Sequence, residues 1–204
     1  MTIAESRIGI MGGTFDPPHL GHLMSAQFAA CELNLEKVIF LPTGKITYKE
    51  SFKRADAIHR YEMTRLSISD NPVFDICDIE VKSSEYSYTY LALEKLHLLH
   101  PNTHFYFIVG ADSLDYMERW KEPQKIFDMC SVVVVGREGF STEDNHAKAR
   151  ELKDKFCADI HFVSMPMIDL SSTEIKMRIK EGKSIKYMVS DDVIDYINKA
   201  GLYI

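Results

Sequence analysis

Short apolar runs alternate with segments of helical periodicity along most of this chain, and this alternation constrains the fold. Val132-Val133-Val134-Val135 is a continuous β-branched run, which is typical of strands covered on both faces. The predicted strands are Arg7–Met11, Lys37–Leu41, Phe74–Val81, His104–Val109, Ser131–Val135 and Asp159–Val163. The predicted helices between them are Leu20–Leu33, Ala55–Ser69, Ser87–Leu99, Asp112–Trp120 and Asn145–Phe156. This order predicts an α/β, Rossmann-like fold with a parallel sheet flanked by helices.

The C-terminal part of the chain is different, because no strand is predicted after Ser171. Helical spacing covers Ser171–Glu181, which opens with a capping pattern, and Asp191–Ala200, which ends at the helix stop Gly201. The length of 204 residues suits one α/β domain. We therefore expect a single domain over 1–204, with a Rossmann-like core over 1–165 and a small helical C-terminal subdomain over 166–204.

Composition narrows the class of protein. The net charge of −6 argues against a general affinity for nucleic acid, although it leaves room for a local basic pocket. The first residues lack the apolar core of a signal peptide, and no apolar run reaches membrane-spanning length. Four separated cysteines without a C-x-x-C pair favour reduced, buried thiols. We expect a cytoplasmic protein without nucleic-acid or membrane partners, and a homo-oligomer is left open.

The segment Gly12–His22 follows the first predicted strand and carries the strongest chemical signal. Its two glycines let the backbone approach an anion closely, and the helix start that follows offers unpaired N–H groups. His19 and His22 are three residues apart and would share one face of a helix. This arrangement predicts a nucleotide-phosphate site. Neither a Gly-x-Gly-x-x-Gly motif at this loop nor a P-loop string is present in the sequence.

Two other interpretations of the histidine pair stay open at this point. Zinc binding would need further ligands, and no nearby set of carboxylates and cysteines completes four, so no metal site is predicted. Buried structural histidines are a stronger alternative. The neighbouring glycine corner favours a phosphate contact.

Other polar positions follow predicted strands, where ligands bind in open parallel sheets. Gly110 ends a strand, and Asp112 could accept hydrogen bonds from a ribose or merely cap its helix. The Ser171–Thr173 segment could hold a triphosphate, with charge from Lys176 or Arg178, or it could be a plain capping box. Trp120 could stack on a flat ligand or pack in the core.

With these residues in view, the chain resembles the bacterial nicotinate-nucleotide adenylyltransferases of the nucleotidylyltransferase superfamily. The family's first signature, Gly-Gly-Thr-Phe-Asp-Pro-x-His-x-Gly-His, is complete at Gly12–His22. Its second signature, Ser-Ser-Thr-x-Ile-Arg, is present at Ser171–Lys176 with a lysine in place of the arginine. Gly110-Ala111-Asp112-Ser113, Tyr88-Thr89 and Trp120 also match, and the similarity spans nearly the whole chain.

The resemblance implies transfer of AMP from ATP to nicotinate mononucleotide, giving deamido-NAD and pyrophosphate in NAD biosynthesis, with Mg²⁺ as cofactor and without a covalent intermediate. It implies catalytic roles for His19, His22 and Lys49. The implied acceptor site comprises Tyr88, Thr89 and Trp120. The implied ATP-binding residues are Gly12, Gly13, Thr14, Phe15, His19, His22, Gly110, Asp112, Ser171, Ser172, Thr173 and Lys176.

Three departures from the family pattern bear on the substrate more than on the reaction class. The loop Lys45–Lys49 keeps only the terminal lysine of the usual Pro-Pro-His-Lys, Lys176 keeps charge without bidentate geometry, and Glu138 replaces a proline. Alternative acceptors are nicotinamide mononucleotide and phosphopantetheine. A non-catalytic nucleotide sensor is an alternative of a different class.

Overall fold

Six strands form one sheet in the computed structural model, which describes residues 6–46, 54–137, 143–166 and 168–204. The strand order is β3-β2-β1-β4-β5-β6, and β4 pairs in parallel with both β1 and β5, as does β6 with β5. The strands are β1 (Ser6–Gly13), β2 (Lys37–Pro42), β3 (Phe74–Ile76), β4 (Thr103–Gly110), β5 (Cys130–Arg137) and β6 (Ile160–Met165). The predicted α/β fold class is confirmed.

The described helices fall mostly where the sequence predicts them. They are α1 (Leu20–Glu32), α2 (Ala57–Ser67), α3 (Thr89–Leu99), α4 (Ala111–Leu114), α5 (Pro123–Met129), α6 (Glu143–Phe156), α7 (Ser172–Lys180) and α8 (Asp191–Ala200), with a 3₁₀ turn at Met117–Arg119. The hydroxyl of Ser171 accepts a hydrogen bond from the Glu174 N–H and caps α7. Helix α8 ends at Gly201, whose φ of 59° is left-handed.

The chain divides into two compact units. Unit 1 comprises Met1–Gly12, Ser25–Ile39 and Tyr88–Met167, and unit 2 comprises Gly13–Met24, Phe40–Ser87 and Ile168–Ile204. In unit 1, the valines of β5 are buried in the sheet, as their β-branched run predicts. Unit 2 has its own apolar cluster, centred on Met63, Ile175, Val193 and Ile197. The predicted division into a core and a C-terminal subdomain stays a prediction.

In unit 1, β1 and β4 are neighbours where the strand order reverses, since β2 precedes β1 in the sheet. Their register pairs Met11 with Ile108, so Gly12 and Gly110 lie near the carboxyl ends of two adjacent strands. Ligands of open α/β sheets bind at this type of position.

Two predicted elements were wrong. Strand β3 ends at Ile76 rather than Val81, because tight turns follow, with hydrogen bonds from the Lys82 N–H to the Asp78 carbonyl and from the Ser83 N–H to the Glu80 carbonyl. The predicted helix Asp112–Trp120 is interrupted after Leu114. The backbone after Leu114 makes bonds to the third preceding residue, from the N–H groups of Tyr116, Arg119 and Trp120 to the carbonyls of Ser113, Tyr116 and Met117, which is the pattern of a 3₁₀ turn.

Helix α5 was not predicted from the sequence, and the cysteines are less buried than expected. Pro123 occupies the first turn of α5, a preferred position that could have predicted it. All four cysteines are free, but Cys31 and Cys157 are exposed, and only Cys130 is fully buried. Among the described residues, no helix is both long enough and apolar enough to cross a membrane.

Candidate active site

The loop that follows β1 places a strained, buried phenylalanine at its centre. Phe15 is 1% exposed and has a φ of 50°, a left-handed conformation that costs a bulky residue about 1–3 kcal/mol. Its ring packs against Phe40 and His22, at centroid distances of 5.7 and 5.0 Å. A Cβ atom on Gly13 would lie 3.0 Å from this ring, so a larger residue there would force the ring to shift by a few tenths of an ångström. The contact of Phe15 with ATP stays a prediction.

His19 and His22 stack on each other at the start of α1. Their ring centroids are 3.7 Å apart, with planes inclined by 27°. The backbone N–H of His19 donates to Nδ1 of His22 over 3.2 Å, so the proton of a neutral His22 ring lies on Nε2. The buried Nδ1 of His19 has no hydrogen-bond partner among the residues that the structure describes. The pair therefore offers hydrogen-bonding capacity that the described protein groups do not use.

Burial sets the charge of both imidazoles. It lowers the pKa of His19 to about 4. Burial, together with the neighbouring His19 ring, also lowers the pKa of His22 well below its usual value. Both rings are neutral at pH 7 in the absence of a ligand, and they act there as hydrogen-bonding groups rather than as cations. An anion bound beside them would favour the protonated forms and raise both pKa values.

A buried ion pair with Lys176 holds the loop after β1 in place through Asp16. Asp16 and Lys176 have side chains only 3% and 7% exposed, and the Lys176 ammonium donates to Asp16 Oδ2 over 2.9 Å. The other carboxylate oxygen of Asp16 accepts hydrogen bonds from the Tyr203 hydroxyl at 2.7 Å and the Ala55 N–H at 3.1 Å. Burial and this carboxylate raise the pKa of Tyr203, so its hydroxyl stays a donor.

Sequence reasoning missed Asp16 and Tyr203 as parts of this arrangement. Asp16 lies within the first signature and could have been found, since a buried carboxylate needs a partner. No local signal could connect Tyr203 to a residue 187 positions earlier. Lys176 was predicted to bind ATP, and that role stays a prediction beside its contact with Asp16.

The N-terminus of α7 is bonded to the same loop. The Ser172 hydroxyl donates to the Pro17 carbonyl over 2.8 Å, and the Ser171 hydroxyl caps the helix. Thr173 is exposed in the first turn. Unit 2 therefore brings together Thr14, His19, His22, Ser172 and Lys176, which the sequence predicted to share a phosphate site.

Unit 1 holds the other predicted site residues. Asp112 is exposed. Its carboxylate lies close to Gly110, since a Cβ atom added to this glycine would be 2.8 Å from Asp112 Oδ1. The N-cap of α4 is Gly110, so Asp112 is not the capping residue of its helix. The Phe107 ring contacts two of these positions. A Cβ atom added to Gly12 would lie 3.1 Å from it, and the Trp120 ring packs edge-on against it with a centroid distance of 6.0 Å.

Tyr88 and Thr89 form the start of α3 in the same unit, as the N-cap and first residue. Lys49 and Glu138 lie outside the described residues. The preceding part of the Lys49 loop is held within unit 2, because the Gly44 N–H donates to the Ser87 hydroxyl and the Ser87 N–H to the Lys45 carbonyl.

The described residues do not fit a protein-bound Mg²⁺. No group of three or more His, Cys, Asp or Glu side chains among them could hold a metal ion. Asp16, the carboxylate of the signature loop, already accepts bonds from Lys176, Tyr203 and Ala55.

Comparison with known proteins identifies the family. The cytidylyltransferase-like family profile matches residues 10–178. A Desulfitobacterium hafniense protein named "Probable nicotinate-nucleotide adenylyltransferase" is 40% identical over 197 residues, covering 97% of this chain and 95% of its own. A protein of the same name from Lachnoclostridium phytofermentans is 38% identical, covering 97% and 99%. The chain belongs to the nicotinate-nucleotide adenylyltransferases of this family.

Solved structures support the fold of this adenylyltransferase family member. A Plasmodium falciparum nicotinic acid mononucleotide adenylyltransferase complexed with NaAD has a TM-score of 0.77 and 23% identity, with 97% of each chain covered. A second structure of the Plasmodium protein, complexed with APC, has a TM-score of 0.74 over the same shares. At this identity the likeness shows the fold alone.

We expect the histidine pair to make stability depend on pH. Because the folded pKa of His19 is about 4 and its ordinary value is 6.5, the unfolded chain binds the proton more tightly. The free energy of unfolding therefore falls as pH drops through this window, by about 3 kcal/mol for His19. Urea unfolding at several pH values should show a shallower dependence in His19→Asn. A wild-type His19 ring that titrates near 6.5 by NMR would contradict this.

The buried ion pair predicts that two substitutions on α7, one of a lysine and one of an arginine, differ strongly in their effect on the free energy of unfolding. Lys176→Met leaves the Asp16 carboxylate uncompensated and should lower the free energy of unfolding by about 3–5 kcal/mol. Arg178→Met is the matched control, because Arg178 is part-exposed, pairs with Glu174 over 3.9 Å and donates to the Ser184 carbonyl over 2.9 Å. It should cost less than about 1 kcal/mol. Adding Asp16→Asn to Lys176→Met should recover part of the lost free energy of unfolding, measured by urea unfolding. Equal losses in Lys176→Met and Arg178→Met would refute the assignment of Lys176 to a buried ion pair.

Proposed function

We propose that this chain is a nicotinate-nucleotide adenylyltransferase, which transfers AMP from ATP to nicotinate mononucleotide and releases pyrophosphate. The observation that carries the proposal is the stacked histidine pair at the start of α1, directly after the glycine corner. Membership of the family and the names of relatives about 40% identical support the same reaction.

In this reaction an oxygen of the mononucleotide phosphate attacks the α-phosphorus of ATP, and the bond to the pyrophosphate oxygen breaks. The protein forms no covalent bond, so its contribution is positioning and stabilisation of charge. His22 can donate from Nε2 because its Nδ1 is already an acceptor. We propose that this donor, with His19, stabilises the charge that develops on the phosphates.

The outer phosphates of ATP are assigned to the second signature. The Thr173 hydroxyl and the N–H groups of Ser172 and Thr173 at the start of α7 supply donors and a positive dipole end, whereas the Ser172 hydroxyl donates to the Pro17 carbonyl. Lys176 also lines a cavity of about 320 Å³, but among the described residues that line it none belongs to the first signature, and neither Ser172 nor Thr173 is included. The proposed contact of Lys176 with ATP therefore rests on its place in the second signature.

The remaining roles, apart from that of Lys49, fall on residues of unit 1. We assign Gly110 and the exposed Asp112 carboxylate to a ribose, and Tyr88, Thr89 and Trp120 to the nicotinate ring. Lys49 is proposed as a further phosphate contact. Mg²⁺ is proposed only as the ion that accompanies ATP, since the described residues offer it no ligand set.

Location and assembly are proposals of the same kind. The four free thiols support a reducing compartment, and we propose the cytoplasm. A homo-oligomeric assembly stays a prediction.

A panel of acceptors tests the assignment most directly. Pyrophosphate release from ATP should be fastest with nicotinate mononucleotide, and slower with nicotinamide mononucleotide or phosphopantetheine. Faster turnover with either rival would keep the reaction class and replace the substrate. Binding of ATP without release of pyrophosphate for any acceptor would favour the non-catalytic sensor.

His22→Ala should lower kcat by about 10²–10³-fold, because a preorganised donor to the developing charge is lost. The KM for ATP should change much less. His100→Ala, at the end of α3, is the matched control and should keep wild-type turnover. Unchanged kcat in His22→Ala would remove His22 from the mechanism.

A further inference from the structure

Arg60 of helix α2 is a charged residue that neither signature contains. It is 1% exposed. Its guanidinium donates to backbone carbonyls on three separate segments of unit 2. Nη1 donates to the Thr14 carbonyl over 2.8 Å, Nη2 to the Thr43 and Gly44 carbonyls over 2.6 and 3.3 Å, and Nε to the Ala55 carbonyl over 3.1 Å. The Thr43 hydroxyl accepts a fifth bond at 3.2 Å.

One of these segments belongs to the candidate site, and a second adjoins it. Thr14 lies in the first signature, between the glycine corner and the histidine pair. Thr43 and Gly44 open the loop that leads toward Lys49, and the Thr43 N–H donates to the Gly13 carbonyl over 2.9 Å. A Cβ atom on Gly44 would collide with the Glu80 carbonyl oxygen, so only glycine fits at this position.

We propose that Arg60 is a positioning residue for adenylyl transfer, an inference that rests on the proposed function. Its planar fork holds the backbone of Thr14 against that of Thr43 and Gly44, and thereby sets where His19 and His22 meet the phosphates. Its buried positive charge also lies directly behind the loop on which an anionic substrate would bind. A lysine cannot replace it, because a single ammonium group cannot span acceptors on opposite sides of the fork.

The experiment separates positioning from plain stability. Arg60→Lys should lower kcat by about 10²-fold, the size expected when reacting groups are displaced by about 1 Å. The KM for ATP should change by less than about 5-fold, since the groups that contact ATP remain. Ser67→Ala is the matched control, because its buried hydroxyl bonds the Met63 carbonyl within the same helix and touches neither loop. Both variants are assayed at a temperature where circular dichroism shows them folded.

A kcat for Arg60→Lys within about 3-fold of that for Ser67→Ala would overturn the proposal and leave Arg60 a scaffold residue. If Arg60→Lys does not fold, Thr43→Val replaces it, since this variant removes one acceptor of the guanidinium at constant volume. We then expect a 3- to 10-fold loss in kcat at nearly wild-type stability, and no loss would equally overturn the proposal.

The two proposals fail in different ways. If wild-type protein does not use nicotinate mononucleotide, the proposed function fails, and the Arg60 variants are assayed with whichever acceptor the wild type does use. The inference stands or falls on the ratio between Arg60→Lys and Ser67→Ala, because both are measured with the same acceptor.

Discussion

The carboxylate of Asp16 is the contact on which the rest of the site depends. It lies inside the first signature and receives an ammonium from α7, a hydroxyl from the C-terminal tail and an N–H from the segment before α2. A buried carboxylate is costly without such partners, and each of these contacts therefore favours one placement of the loop. The same loop carries the histidine pair, so its position follows from residues far away in the chain.

The site combines neutral imidazoles on the loop with a buried cation behind it. The imidazoles of His19 and His22 are kept neutral by burial, whereas the buried guanidinium of Arg60 brings positive charge behind the loop and Lys176 is paired with Asp16. A neutral pair costs less to keep desolvated than two cations would, and the buried guanidinium still favours an approaching anion. The loop is thus suited to a ligand whose negative charge moves during a reaction.

The sequence predicted most of the sheet because its strands have strong local signals, such as the valine run of β5. It failed where tertiary packing decided the outcome. The apolar residues after Ile76 predicted a longer strand, but hydrogen-bonded turns follow it. The helical periodicity after Leu114 predicted a continuous helix, but the backbone there forms the hydrogen bonds of a 3₁₀ turn.

The same limit applies to the site. The glycines, histidines and serines of the two signatures were found from local patterns, and unit 2 brings several of them together. Arg60 and Tyr203 were missed, because their partners are carbonyls and a carboxylate on distant segments, and nothing in the neighbouring sequence announces them. Long-range hydrogen bonds of this kind follow no sequence periodicity from which they could be predicted.

The packing of Phe15 over Gly13 has a consequence for how this motif can change. The aromatic ring occupies the space beside Gly13, and its residue has a left-handed backbone conformation. A side chain at Gly13 would have to push this ring aside by a few tenths of an ångström, and a smaller residue at Phe15 would leave a void beside His22. The effects of substitutions at the two positions should therefore depend on each other.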